Sequence, residues 1–597
     1  MAVITRAPVA PAAAPAQADA PRAEPRRRRR WPRRLLWAIG VYVVVSGLLL
    51  AVSVLLARQG IDELRAFRRE AAPGDLLDGT ASDRLGRAGS DLDRAALLIG
   101  GPWMTPLRLV PGLGRQVDAV QSMIVGSADI TALAAEGVED AEATVGAGIP
   151  TGPGRVDALR TLAEVAESTA ASLNAVDAGP QTWLLPGLGA AAVDFADQKA
   201  DIEESLLRTR DASAALATVL EGPSTYLLLA ANNGEMRSGS GMLLSAGLLT
   251  AADGELDVTD LEPTAEMVLP EPVGITDPDI EQQWGFSGPD QDFRNLLLSP
   301  RFGPNAEMAT RMWTELGRPE VDGVITIDVL ALEGLLEAVG PVTVGTEVID
   351  HTNVRRLLLH DQYTRVSDDA QGQADRRDVL GTVARAVLER FDTTAADPGP
   401  LARALRDATA GRHLMIWSRD EGLEQAWRGV SVAGDVAADG VLVSVLNDGN
   451  NKLDQYLEID AELDPVDATS GTLRLELTNT VPAGEPNYIA GAFPDQVGGY
   501  GVYPGRLAVH FPAGTQLEVV EGPEATLAGP DGGSTLLATE IRVPPGETLV
   551  WELHYELGQA LEGLRVLPSA RSPGIEWTVG DQTWSDRRVP SRTVDLD

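Results

Sequence analysis

Residues 35–57, LLWAIGVYVVVSGLLLAVSVLLA, place 23 consecutive positions without a charged side chain, and this run limits where the rest of the chain can fold. In water it would have to be buried on every side. In a bilayer it fits as it stands, because ~20 residues at ~1.5 Å rise cross the hydrocarbon core. The preceding RRRRRWPRR is a basic flank, and such flanks stay on the cytoplasmic side. A cleaved secretory signal would have a shorter apolar stretch and a small-residue cleavage site, which LLARQG does not provide. The expectation is an uncleaved single-pass anchor in the cell membrane. Residues 1–34 form a disordered basic cytoplasmic tail, 35–57 the transmembrane helix, and the bulk of the chain is extracytoplasmic.

Charge reinforces the division. The chain carries −38 overall, yet its first 34 residues hold nine Arg against Asp19 and Glu24, so the body beyond the anchor is more acidic still. An acidic body repels polyphosphate, and nucleic acid is not an expected partner. Cysteine is absent, which removes disulfides, thiol nucleophiles and thiolate-bound metal centres. The five His include no i, i+4 pair, and Lys occurs only at 199 and 452. Histidine zinc helices, a P-loop lysine and a Ser-x-x-Lys pair are thereby excluded.

Residues 58–220 read as an extracytoplasmic helical stalk, rich in Ala, Leu, Glu and Arg. GPWMTPLRLVPGLG (101–114) recurs as GPQTWLLPGLG (179–189), and each copy leads into an amphipathic helix. Val117, Val120 and Ile124 make one apolar stripe; Ile202, Leu206, Leu216 and Leu220 make another. The second copy also fits a loose G-x-G-x-x-A fingerprint. No strand precedes it, and its repeat partner lacks the fingerprint, so it is a turn and not a nucleotide loop.

From 221 to 430 strands alternate with helices, which implies an α/β layer architecture. TYLLLA is a strand buried on both faces, and Asp253-Gly254 is a hairpin turn. A helix begins near Asn305 and carries Ala309, Met312, Trp313 and Leu316 inward. DGVITID (322–328) is a strand whose Asp328 caps the next helix, with Leu332, Leu335, Leu336 and Val339 on one face. A further helix spans Asp375 to Phe391. Residues 431–570 are short alternating strands between Gly/Pro turns, as expected of a β-sandwich. Residues 571–597 read as a tail.

The segment YLLLAANNGEMRSGSGMLLSAGLLTAADGEL resembles the signature of DUF4012, a family of bacterial membrane proteins. DGVITIDVLALEGLLEAVGPVTV and RHLMIWSRDEGLEQAW resemble its later blocks. Ser240-Gly241 stands where that family has Gly-Gly. More distantly, EMRS, the 322–344 block and QADRRDVLGTVARAVL are similar to LytR–CpsA–Psr domains, although the order here is Glu-then-Arg where those have Arg-then-Asp. The resemblance implies a LytR–CpsA–Psr-like mixed sheet with helices. It also implies a cell-envelope function, the binding or transfer of polyprenyl-pyrophosphate-linked glycopolymer to the cell wall.

On that resemblance Glu235 and Arg237 are the candidate catalytic pair. Asn232, Asn233, Arg376 and Arg377 are candidate ligand-binding residues, and Glu235 is the candidate ligand of a Mg²⁺. Residues i and i+2 of an extended segment share a face, which presents the carboxylate and guanidinium together. Arginine's fork matches phosphate oxygens, and Arg376 and Arg377 fall in the first turn of the 375–391 helix, where free N–H groups favour anions. Asp375 is equally an N-cap, and Glu235 with Arg237 equally a loop-fixing ion pair. Arg301 and Arg365 read as surface residues. RSGSGM lacks a G-x-S-x-G frame, and no histidine is placed to serve Ser240. Two functions stay open: a glycopolymer transferase acting through arginines and Mg²⁺ on a leaving pyrophosphate, and a non-catalytic envelope scaffold or glycan-binding protein.

Overall fold

The computed structural model describes residue 42, residues 45–59 and 61, and residues 80–596 except 366–369, 450, 492–498 and 588–590. The chain is mixed α/β with several sheets and a β-rich C-terminal part. Residues 45–59 are helical. Among the described residues no helix is long and apolar enough to cross a membrane. The 1–34 tail and most of 35–44 lie outside them.

Four long helices follow: α1 (Thr80–Gly100), α2 (Leu113–Val145), α3 (Pro153–Asn174) and α4 (Pro186–Glu221). The repeated Pro-Gly-Leu-Gly segments open α2 and α4, with Pro186 in the first turn of α4, where its missing N–H is no loss. The two copies are bonded to each other: Arg115 Nε donates to the Thr182 carbonyl at 2.6 Å, and the Leu185 amide to Gln116 Oε1 at 3.0 Å. Ile202, expected on an apolar stripe, is exposed, because mid-α4 has no partner on that side. The last turns of α4 do find partners, with Ala215 and Val219 packing on Tyr226, Ala426 and Trp427. Arg155 of α3 reaches the same body, donating to the carbonyls of Gly254 and Phe391 and pairing with Asp392 at 3.3 Å.

The chain enters the sheet through Gly222 (φ 63°), where any Cβ would collide with the Ala251 carbonyl. β1 (Ser224–Met236) is central. It pairs antiparallel with β2 (Gly241–Ala252), which carries β3 (Glu255–Val258) and the two-residue β4 (Glu262–Pro263) on its far side. On its other edge β1 runs parallel to β5 (Gly323–Asp328). After a β6–β7 hairpin (Val342–Val344, Glu347–Ile349), β8 (Leu414–Ser418) closes the sheet antiparallel to β5. Asp253 (φ 52°) and Gly254 (φ 79°) are both left-handed, as a two-residue hairpin requires.

The continuous apolar run of β1 serves two cores. Leu227, Leu229 and Ala231 face one, and Leu228 and Ala230 the other. The first is covered by α5 (Phe302–Glu315), which starts three residues before Asn305; the Asn305 side chain instead ties Leu297, Ser299 and Arg301 together. The second is covered by α6 (Val329–Val339), α7 (Ala370–Thr393) and α8 (Pro398–Ala410). Asp328 caps α6 as expected, accepting from the amides of Leu330 and Ala331. α9 (Glu421–Gly429) backs β8. α7 begins at Ala370, which puts Arg376 and Arg377 in its second turn, where backbone amides are already bonded within the helix and offer an anion nothing. Arg301 is not a surface residue: its side chain is 14% exposed and held between Asp277 and Asp531, each at 2.7 Å.

Two six-stranded sheets make the C-terminal part. One holds β10 (Leu457–Pro465), β11 (Ser470–Asn479), β13 (Gln516–Glu521), β16 (Thr548–Glu556), β18 (Ile575–Val579) and β19 (Gln582–Ser585). The other holds β9 (Gly440–Asn447), β12 (Tyr503–Pro512), β14 (Leu527–Asp531), β15 (Ser534–Val543), β17 (Gly563–Val566) and β20 (Arg592–Asp595). They enclose one core, built on Val443, Leu475, Phe511, Trp551 and Trp577. Residues 571–597, expected as a tail, therefore contribute three strands; IEWTV (β18) forms a local hairpin with β19 and joins the sheet through distant β10, and β20 pairs with β17. Every residue of β9 is buried. Val441, Val443 and Val445 enter the sandwich core, while Leu446, with Ala508, Leu536 and Ala538, joins the core of the α/β sheet around Trp284 and Phe302.

Candidate functional site

The end of β1 is where the two bodies meet. Beyond Asn232 the pairing with β2 slips, and the chain bulges through Gly234 before Met236 pairs with Gly241. The bulge turns Glu235 and Arg237 toward a cavity of about 410 Å³. Asn232, Arg294, Tyr363, Lys452 and Tyr488 line it too, with Met242, Leu244 and Leu380 as apolar wall. Larger concavities of about 730 and 610 Å³ lie elsewhere, at Glu271–Arg419 and at the stalk end, without buried ionic groups gathered in them.

Glu235 does not pair with Arg237. Its carboxylate meets the ammonium of Lys452, and both side chains are nearly fully buried. Lys452 comes from the loop after β9, and its backbone amide donates to Ile489. Its Nζ lies 5.0 Å from the Tyr363 ring and 5.6 Å from the Tyr488 ring, and those rings stack at 5.3 Å. A desolvated cation against two π faces is held by the ring quadrupoles. Burial pushes the Lys452 ammonium down to about 7 against the upward pull of Asp454. Contact with Glu235 acts in the same sense as Asp454.

Arg237 is also desolvated, and burial lowers its affinity for the proton, with Asp448 and Asp454 opposing. Nε donates to the Arg294 carbonyl at 3.1 Å, and Nη1 to those of Met236 at 3.0 Å and Asn447 at 2.8 Å. Its fork therefore fastens β1 to β9 and to the 293–295 turn. Nη2 has no hydrogen-bond partner among the described residues. Arg294, at the rim, is held by Asp292 through contacts of 2.6–3.1 Å.

The two asparagines separate. Asn232 donates to the Tyr363 hydroxyl at 3.0 Å and accepts from Gly234, shaping the cavity wall. Asn233 points away from the cavity, donating to Asp328 at 2.7 Å and to the Ala570 carbonyl at 2.9 Å. Asp328 also contacts His413 Nδ1 at 2.7 Å and Ser240 Oγ at 3.5 Å. The carboxylate, not the imidazole, stands between the other two, so no histidine addresses the hydroxyl as in a Ser-His-Asp triad. The side chains of Arg376 and Arg377 lie outside the described residues.

Glu235 offers Mg²⁺ no free carboxylate. A dication there would stand against the Lys452 ammonium, and Asp292, the other acid of the cavity, is engaged by Arg294. Among the described residues no group of three or more His, Asp or Glu is placed to hold a metal ion. What the cavity offers instead is the paired Lys452 and Glu235 and the open edge of Arg237, beside aromatic and apolar surface. Lys452, Tyr363, Tyr488 and Arg294 were not singled out from sequence. The signal for Lys452 was its rarity in NDGNNKLDQY; the tyrosines had none, being brought in from distant loops.

A model of the family described as "Protein of unknown function (DUF4012)" matches residues 221–363. The match runs from the last residue of α4 to Tyr363, and so supplies Asn232, Glu235, Arg237 and Tyr363 but neither Lys452 nor Tyr488. No curated protein matches the chain.

Proposed function

We propose that the protein is an extracytoplasmic cell-envelope protein, anchored by residues 35–57, whose cavity binds a polyprenyl-pyrophosphate-linked glycan. The observation that carries this is the meeting of Lys452 and the free edge of Arg237 beside a stacked tyrosine pair and an apolar wall. Buried cations in a low-dielectric cavity favour phosphate oxygens far more strongly than surface ones do. Tyrosine faces and apolar side chains suit a sugar ring or the first isoprene units. The likeness of EMRS and the 322–344 block to LytR–CpsA–Psr domains supports the same ligand class, and extends it to transfer. In that case the cations stabilise the departing pyrophosphate while an acceptor hydroxyl attacks.

The test is binding of geranyl pyrophosphate to the full chain in detergent, by calorimetry, with and without Mg²⁺. A Glu235→Gln/Lys452→Met double variant removes the ion pair without leaving one charge buried alone. It should bind at least tenfold more weakly while melting near wild type. Undiminished binding by that variant would exclude the cavity. The scaffold alternative is favoured by a separate observation: Asn233, Met236, Arg237 and Ser238 all bond to residues between Asp328 and Ala570, so the signature segment also locks two sheets together.

A further inference from the structure

The two Pro-Gly-Leu-Gly turns meet at one end of the stalk, and the apolar side chains there are bare. Trp183 is 88% exposed, Leu109 78%, Leu97 74% and Leu185 65%. A patch of this kind marks a contact, and two features identify what it touches. The first is charge. Residues 95–107, 109–114 and 178–193 contain no ionisable side chain in a chain that is 23% charged. The cations that border these runs are engaged within the stalk, Arg94 with Asp91, Arg108 with Asp118 and Gln121, and Arg115 with Thr182.

The second is position. The helix at 45–59, which continues the uncharged 35–57 run, lies along this end of the stalk. Ala57 packs with Leu92, Ala95 and Ile99, Leu50 bridges that cluster to Met104 and Leu107, and Leu49 packs with the latter pair alone. Following the apolar run inward from residue 57 therefore leads toward the 101–104 turn. Ser46 Oγ donates to the Trp103 carbonyl at 2.7 Å, and the Tyr42 hydroxyl to that of Pro102 at 3.2 Å. Ser46 is eleven residues from the end of the run, ~17 Å along a helix and about half the hydrocarbon thickness. These two bonds also pair carbonyls that hydrocarbon would leave unsatisfied.

We propose that the stalk end, residues 97–113 and 179–193, dips into the outer half of the bilayer beside the anchor, with acyl chains covering Leu97, Leu109, Trp183 and Leu185. This rests on the membrane-anchored reading above and adds a second, non-spanning lipid contact. The sandwich and cavity are then held at the membrane by a rigid wedge as well as by one helix.

Because the chain has no cysteine, a single introduced one is a unique label site. Full-length Leu109→Cys, Trp183→Cys and Leu185→Cys proteins, with Leu48→Cys in the anchor and Val466→Cys on the remote sheet as references, are reconstituted in phosphatidylglycerol-containing vesicles and labelled with nitrobenzoxadiazole. All five positions are exposed, so the fold is not disturbed. The stalk labels should be quenched severalfold more by nitroxide-bearing lipid than by aqueous iodide, as at Leu48, and the Val466 label by iodide alone. A Leu48 label in lipid with stalk labels in water would overturn the wedge and leave the anchor intact. Both in water would overturn the anchor and the wedge together. Stalk labels shielded from both quenchers would show a protein contact, such as a second copy, and would equally overturn it.

Discussion

Replacing Arg237 with alanine separates a clamp from a ligand residue. The guanidinium donates three bonds to carbonyls of three different segments at 2.8–3.1 Å, in a fully buried position. Bonds from a charged donor contribute about 1.5–3 kcal/mol each, but neighbours in one network do not add and water can enter from the cavity, so a loss of about 3–5 kcal/mol is expected. At roughly 2–4 °C per kcal/mol for a unit of 150–250 residues, the melting transition should fall by roughly 6–20 °C. Arg237→Lys should lie between, since one ammonium cannot reach three carbonyls that a planar fork spans. The assay is scanning calorimetry of the detergent-solubilised full chain, with near-ultraviolet circular dichroism confirming loss of tertiary packing. An Arg237→Ala protein that melts within about 2 °C of wild type would refute the clamp. If it had also lost geranyl pyrophosphate binding, the guanidinium would serve the ligand and not the fold.

With the Lys452 ammonium held at about 7, pyrophosphate affinity should fall as pH rises from 7 to 9. The unfolded lysine keeps its proton to about 10.5, so this group makes stability rise over that interval, and opposite trends in binding and melting are the signature; affinity flat from pH 7 to 9 would count against Lys452. Burial pushes Asp531 up, yet His510 and Arg301 outweigh it and hold the carboxyl at about 2. Its depressed value means stability present above pH ~4 and lost as pH falls toward 2, and Asp531→Asn should destabilise by about 3–5 kcal/mol and flatten that acid limb, read by urea melts at several pH values. Protease added to intact spheroplasts should digest the acidic body; a fully protected body would reverse the proposed orientation.

Much of the α/β part was legible because its signals are local. Asp328 before an apolar helix, Asp253-Gly254 between strands and the uninterrupted run of β1 each state their structure within a few residues. The end of β1 was harder. Glu235 and Arg237 lie two apart and line one cavity, as i, i+2 spacing suggests, yet each found a different partner more than 50 positions away. Sequence spacing carries no information about Lys452, which arrives after β9. The start of α7 was misplaced by five residues because Asp375 has the chemistry of a cap, while the turn before it has no strong stop signal. The last three strands were missed although β18 and β19 form a local hairpin across Gly580-Asp581, because what ties β18 and β20 into their sheets lies in β10 and β17.

The two-sided burial of β9 bears on how such a chain can change over generations. A strand with solvent on one face can be exchanged together with its sheet, as a cassette. Here Leu446, Ala508, Leu536 and Ala538 form a surface already fitted to Trp284 and Phe302, and the cavity takes its lysine from one side of that seam and its glutamate from the other. Neither half can be shuffled to a new neighbour without exposing an apolar face and stranding a buried charge. The heritable unit is then at least residues 221–596, and substitutions on one bank of the seam should be answered by substitutions on the other.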